Sequence, residues 1–337
     1  STPKPSSAAS DVYKRQILPA ILGLWSSGAF AAPIIAPLLG ASMVVAKNWR
    51  WIFWLLLWMC AASLIIFIFF FPETSHSNIL SRRASRLRKQ TGDNRYYTTQ
   101  EKIDASIQPK DFIIKTLFRP ILMMIQEPIV LAFNLYVSLL YGTFYLFFEA
   151  FPIVFVGIYH FTLIEMGLAY MGFLVGCFFA YFGLLIFLVK IIFPKYKNNT
   201  FTPEAFLILT ISSGWLLPLA LFLFGWAAGT HWIVPIIAEF FFFIAAFHIF
   251  QSAFAYLSSS YPKYVASVFA SNGLCRSVFA CAFPLFGTAM YNNLAIDGYP
   301  VGWGSSLVGF FTIGLALIPV ALYKYGPLLR SKSKFSD

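Results

Sequence analysis

Residues 51–71 read "WIFWLLLWMCAASLIIFIFFF", a run of 21 residues without a charge. A helix of that length rises about 30 Å at 1.5 Å per residue, which matches the hydrocarbon thickness of a bilayer. Outward from it the pattern repeats at residues 129–148, 166–189, 205–230 and 298–323. Three further blocks, 17–45, 232–256 (interrupted by Glu239) and about 266–291 (interrupted by Arg276), bring the number of expected spans to eight. The chain of 337 residues is 59% hydrophobic and only 11% charged, far below the roughly 25% charge of a soluble domain. The fold class read from this is an all-α polytopic membrane protein.

A net charge of +11 would suit nucleic acid, but the basic residues lie in the connections between blocks. Arg82, Arg83, Arg86, Arg88, Lys89, Arg95, Lys102, Lys110, Lys115 and Arg119 fall in one polar connection, residues 73–127. Cytoplasmic loops collect Lys and Arg, so this connection is expected to be cytoplasmic. Counting spans from it puts Lys190, Lys195, Lys197, Lys263, Lys324, Arg330, Lys332 and Lys334 on the same side, against Lys47 and Arg50 on the other. No nucleic-acid partner is expected. The Asn198-Asn199-Thr200 sequon then lies on the cytoplasmic side and is expected to stay unmodified. Cys60, Cys177, Cys275 and Cys281 all lie within apolar blocks and read as free core thiols.

The expected organisation is a polar tail (1–16), disordered or extraneous; two spans (17–72); the long basic connection (73–127); six spans (128–323); and a cytoplasmic tail (324–337). Within the connection, "SNILSRRASRLRKQTGD" suits a basic helix with an apolar edge of Ile79, Leu80 and Leu87. It rests either in an anionic headgroup layer or in solvent.

The first block contains "SGAFAAPIIAPLLG", residues 27–40. Proline inside a helix costs about 3 kcal/mol, so two of them four residues apart ask for a reason. Gly28, Ala32, Ala36 and Gly40 recur every four residues and make a face nearly free of side chain, which lets another backbone come close in lipid. Pro33 and Pro37 lie beside that face and bend the helix.

These residues, together with "NWRWIFW" (48–54), "FFPETS" (70–75), "RRASRLRKQTGD" (82–93), "YLFFEAFPIVF" (145–155) and "SNGLCRSVFACAFPLFGTAMY" (271–291), resemble the fungal drug:proton antiporter branch of the major facilitator superfamily. The resemblance implies two six-span bundles joined by a long cytoplasmic loop. It aligns the eight blocks with family helices five to twelve, so eight of twelve transmembrane helices are present and the copy is shortened at its N-terminal side. It also implies that the Gly28–Gly40 face packs across the bundle interface as the antiporter signature, with Ala32 and Ala36 standing where the family has glycine.

Ionisable groups inside spans are costly and mark pathways. Glu239 is expected roughly 10 Å from the outer side, and Arg276 roughly 12 Å from it. The two are therefore expected to pair or to exchange partners through water, with Glu239 accepting a proton; a static salt bridge is the plainer alternative. Glu149 follows Tyr141 and Tyr145 at intervals of four, either as a gate or substrate contact or as an interfacial residue. Asn134 on that span and His248 with Gln251 on another are candidates to line the same cavity, or are satisfied packing residues. The excess of Phe, Tyr and Trp suits flat, often cationic, ligands.

The resemblance implies a secondary transporter that expels drug-like or cationic amphiphilic molecules in exchange for protons by alternating access. A carrier of another small solute and a non-transporting fragment are the alternatives. No nucleotide-binding glycine loop occurs, and the four histidines have no metal spacing, so neither a cofactor nor a metal is expected and the chain does not read as an enzyme. The expected partners are a small-molecule substrate, protons and the lipid bilayer, with no obligate protein partner; the expected location is the plasma membrane.

Overall fold

The computed structural model describes the backbone of residues 5–73, 75–93, 95–99, 101 and 117–335. Among these, eight stretches are long and apolar enough to cross a membrane. α1 (Pro5–Ala46) and α2 (Arg50–Phe70) are followed by α3 (His76–Thr91) and α4 (Arg119–Gln126) in the polar connection. The third span is α5 (Pro128–Phe151), extended by the wider turn Pro152–Val156. The fourth is assembled from α6 (Leu163–Ala169), α7 (Met171–Phe187) and α8 (Phe193–Lys197), and the fifth from α9 (Leu207–Ser213) and α10 (Leu216–Ala227). α11 (Ile233–Ser260), α12 (Val265–Asn293) and α13 (Gly302–Lys332) complete the chain.

Local chemistry sets several of these ends. Pro128 occupies the first position of α5, where its missing N–H costs nothing. The Thr162 side chain and Glu165 close a reciprocal capping box on α6. Gly92, at φ 70°, ends α3 in the left-handed region open to glycine.

From α5 to α13 the spans form one bundle. Its centre is aromatic: the Phe147 ring lies 4.8 Å from Phe242, 4.9 Å from Phe224 and 5.5 Å from Phe173. Each such pair adds about 0.5–1.5 kcal/mol beyond the area it buries. Glycines decide where backbones come closest. A methyl group on Gly176 would lie 2.8 Å from the Phe240 carbonyl oxygen, and one on Gly172 would lie 2.8 Å from both Ile236 Cγ2 and a Glu239 oxygen. The Gly172–Gly176 face of α7 is thus the small face that lets α11 approach. On α5 and α12, Gly142 receives Phe283 while Gly287 receives Leu146.

α1 docks on this bundle through α6 and α7, by a face other than the expected one. A methyl group on Gly23 would meet Leu184 at 2.6 Å, Leu38 backs onto Gly167, and Phe30 sits edge-on to Phe243 and Phe250. Gly28, Ala32 and Ala36 are exposed, a methyl group on Gly28 would meet no other element within 4 Å, and one on Gly40 would reach only Ile52 Cδ1 at 4.0 Å. Pro33 and Pro37 are half-buried beside them and the helix continues through both. The docked face carries Phe30 and Ile34, which have apolar area to bury; a stripe of Gly and Ala has little, so it gains only against an equally flat neighbour.

Other expectations change in the same way. α1 begins at Pro5, so the helix enters the stretch expected to be a disordered tail; no Gly or Pro stands between Pro5 and Pro19 to stop it. Residues 1–4 lie outside the described residues, as do Lys102, Lys110 and Lys115 of the basic connection. Of the four free cysteines only Cys177 is buried, while Cys60 and Cys281 are exposed, because apolar sequence in a bilayer marks lipid-facing sides as well as cores. α2 buries none of its residues. The basic helix of the connection forms as α3, although Ile79 and Leu80 are exposed.

Candidate functional site

The two charged residues that interrupt apolar blocks, Glu239 and Arg276, fall in two separate places. Glu239, on α11, is wholly buried and neither carboxyl oxygen has a hydrogen-bond partner. The absent side chain of Gly172 makes its slot, with Ile236 alongside. Arg276, on α12, is half-buried and lies over three rings, 5.1 Å from the centre of Tyr141, 5.2 Å from Phe250 and 5.8 Å from Phe254.

The expected Glu239–Arg276 pair does not form. Phe250 and Phe254 follow Glu239 by three and four helical turns on α11, which puts the guanidinium about 16 Å or more along the axis from the carboxylate's own turn. The cause is depth. Glu239 lies 21 residues before the end of α11 at Ser260, whereas Arg276 lies only 11 residues after the start of α12 at Val265, so at 1.5 Å per residue their Cα atoms stand about 15 Å apart in depth. The expectation of equal depth took each span as about 30 Å long, and these two helices, of 28 and 29 residues, are longer. Among the described residues no carboxylate lies within ion-pair distance of Arg276.

The remaining candidates are distributed between helix contacts. Tyr141 and Tyr145 come together on α5, ring centres 5.5 Å apart, and Tyr141 joins the Arg276 group. Glu149 accepts a 2.6 Å hydrogen bond from the Thr288 hydroxyl of α12. The Asn134 amide donates to Ser271 Oγ at 3.1 Å and its oxygen accepts from Asn272 at 3.0 Å, clasping α5 to α12. In a membrane such a clasp contributes about 0.6–2 kcal/mol. His248 bonds the Ala180 carbonyl of α7 through Nε2 at 2.9 Å. Gln251 is buried with its Nε2 unpartnered. Asn134 and His248 thus bond different neighbours, α12 and α7. An open groove of about 520 Å³ with apolar side chains lies between α5, α12 and α13, lined by residues such as Leu139, Phe283 and Phe311; none of the candidates lines it.

Several participants were not foreseen: Thr288, Asn272, Ser271, the Phe250–Phe254 pair and Gly172. Only Gly172 had a readable signal, the G-x-x-x-G spacing with Gly176.

Eight spans with a family model for the Major Facilitator Superfamily matching residues 2–284 decide the family. The chain belongs to the major facilitator superfamily. Within that superfamily it is similar to fungal proteins named for drug resistance and multidrug transport. It is 63% identical over 329 residues to "Fluconazole resistance protein 1" of Saccharomyces cerevisiae, covering 97% of this chain and 60% of that protein. It is 64% identical to "Multidrug transporter FLR1" of Candida glabrata (97% and 58%) and 41% identical to "Cycloheximide resistance protein" of Candida maltosa (94% and 58%). This major facilitator chain thus spans about three-fifths of the length of the curated relatives it matches. No solved structure matches it significantly. It is an integral membrane protein of a transporter family.

Proposed function

We propose that the protein to which this chain belongs is a proton-coupled carrier that expels drug-like molecules by alternating access, with Glu239 as the proton acceptor. The observation that carries this reading is the isolation of Glu239: a buried intramembrane carboxylate whose two oxygens have no partner. A fixed structural salt bridge would hold such a group; one left free takes up and releases a proton without breaking any bond. The names of the relatives, resistance to fluconazole and to cycloheximide, supply the direction and the drug-like class. Its partners are then a small molecule, protons and lipid. The separation of basic residues supports a cytoplasmic side for α3 and the end of α13, and the plasma membrane suits efflux. The six spans from α5 onward act as one rocking bundle, and α1 with α2 belongs to the facing one. No chemical step on the substrate is assigned.

The test is growth and drug retention in a fluconazole-sensitive yeast strain expressing the gene. Efflux should accelerate as the medium is made more acidic, and Glu239→Gln, at equal membrane abundance, should lose that acceleration. Efflux by Glu239→Gln that still follows external pH contradicts the proton role.

A further inference from the structure

We propose that Arg276 and the rings around it form a binding site for flat molecules that present an oxygen acceptor, a carboxylate first and a carbonyl second, and that the site disfavours cations. This rests on the reading of the chain as one wall of a carrier and adds a chemical class to its drug-like ligands.

The three rings attract the guanidinium charge through their π faces. Ring faces accept the N–H donors around the edge of the guanidinium plane only weakly, far less well than an oxygen does. Arg276 Nε is buried without a hydrogen-bond partner, and among the described residues no carboxylate is in reach of the group. What remains is a charge held in place by aromatic rings with its buried Nε donor unsatisfied, in a span where an unpaired donor is costly.

The surroundings fit a flat ligand. Phe30 of α1 stands edge-on to Phe250 at 5.2 Å, Phe250 and Phe254 lie 4.3 Å apart, and Tyr145 continues the Tyr141 stripe. The site therefore lies where α1 meets the six-span bundle, which is where a carrier's substrate passes. Gly273, one turn before Arg276, has nothing within 4 Å of where a side chain would begin, so the approach along α12 is open. A planar carboxylate matches the guanidinium fork bidentately and a carbonyl matches it once, while an ammonium meets a fixed like charge.

The test is equilibrium binding of three probes with one ring system, 2-naphthoate, 2-naphthamide and 2-naphthylmethylammonium, to the chain in zwitterionic nanodiscs, with empty discs as blank. The expected order is naphthoate, then naphthamide, then the ammonium at least tenfold weaker than the acid. Arg276→Met should erase the order. Arg276→Lys, which keeps charge and length if the Met variant folds poorly, should keep acid above ammonium and lose the amide's advantage. An ammonium bound as tightly as the acid, an order that survives in Arg276→Met, or no saturable binding of any probe would each overturn the proposal. Because binding is read without a proton gradient, failure of the Glu239 reading leaves this order intact, and loss of the order leaves the Glu239 reading standing.

Discussion

Glu239 and Gly172 form a single unit at the residue scale. The carboxylate is accommodated because α7 offers no side chain at that point, so the two positions should fail together. Gly172→Ala places a methyl group 2.8 Å from a carboxyl oxygen and 2.8 Å from Ile236. The expected loss of stability is about 1–3 kcal/mol, read as a lowered unfolding temperature in detergent, along with loss of the pH dependence of efflux. Gly176→Ala crowds the Phe240 backbone instead and should cost similar stability while leaving that pH dependence in place. Equal effects of both variants on coupling would mean that helix spacing, not the carboxylate's slot, is what matters. The residue scale is also where sequence reading ran short. The place of Glu239 and Arg276 inside apolar blocks was legible from hydropathy; their failure to pair was not, because the depth of Arg276 was counted against a core of about 30 Å, while α11 and α12 run to 28 and 29 residues.

Elements were legible wherever one property decides them. Eight apolar blocks became eight spans, and the long basic connection yielded α3. The docking face of α1 was not, since the Gly28–Gly40 stripe announces that a close neighbour is permitted and does not say which one. Folding within the connection depends on Glu101, which accepts from Ser81 at 2.9 Å, from the Thr98 amide at 3.0 Å and from Arg88 at 3.1 Å. The Arg88 guanidinium, aided by Thr98 and Ser81, lowers the Glu101 carboxyl from an ordinary value near 4.5 to about 2. A carboxyl lowered on folding stabilises the clasp fully above its unfolded value and loses that contribution as pH falls through the folded one. The clasp should therefore hold between these two values and open only toward about pH 2. Titration of the Glu101 carboxyl carbon by NMR checks this, and in Arg88→Gln the midpoint should move up toward 4.5. A native midpoint already near 4.5 would show that the clasp does not form in solution.

For the molecule as a whole, α5 to α13 pack around an aromatic centre, and α1 is fastened to that bundle by Phe30 and by the glycine contacts at Gly23 and Gly167. Glu239 is an isolated acid near one end of α11, and Arg276 of α12 is a ring-held base level with a point farther along α11. In the proposed carrier that division would let proton and substrate occupy different places on one moving body, so that each would bias the same rocking equilibrium. The most direct measurement is proton movement driven by drug. With the purified protein in liposomes that enclose a pH-sensitive dye, fluconazole added outside should enter in exchange for luminal protons. The account predicts a rise in luminal pH that depends on fluconazole concentration and is absent in Glu239→Gln. Uptake of labelled fluconazole with no change in luminal pH would contradict it.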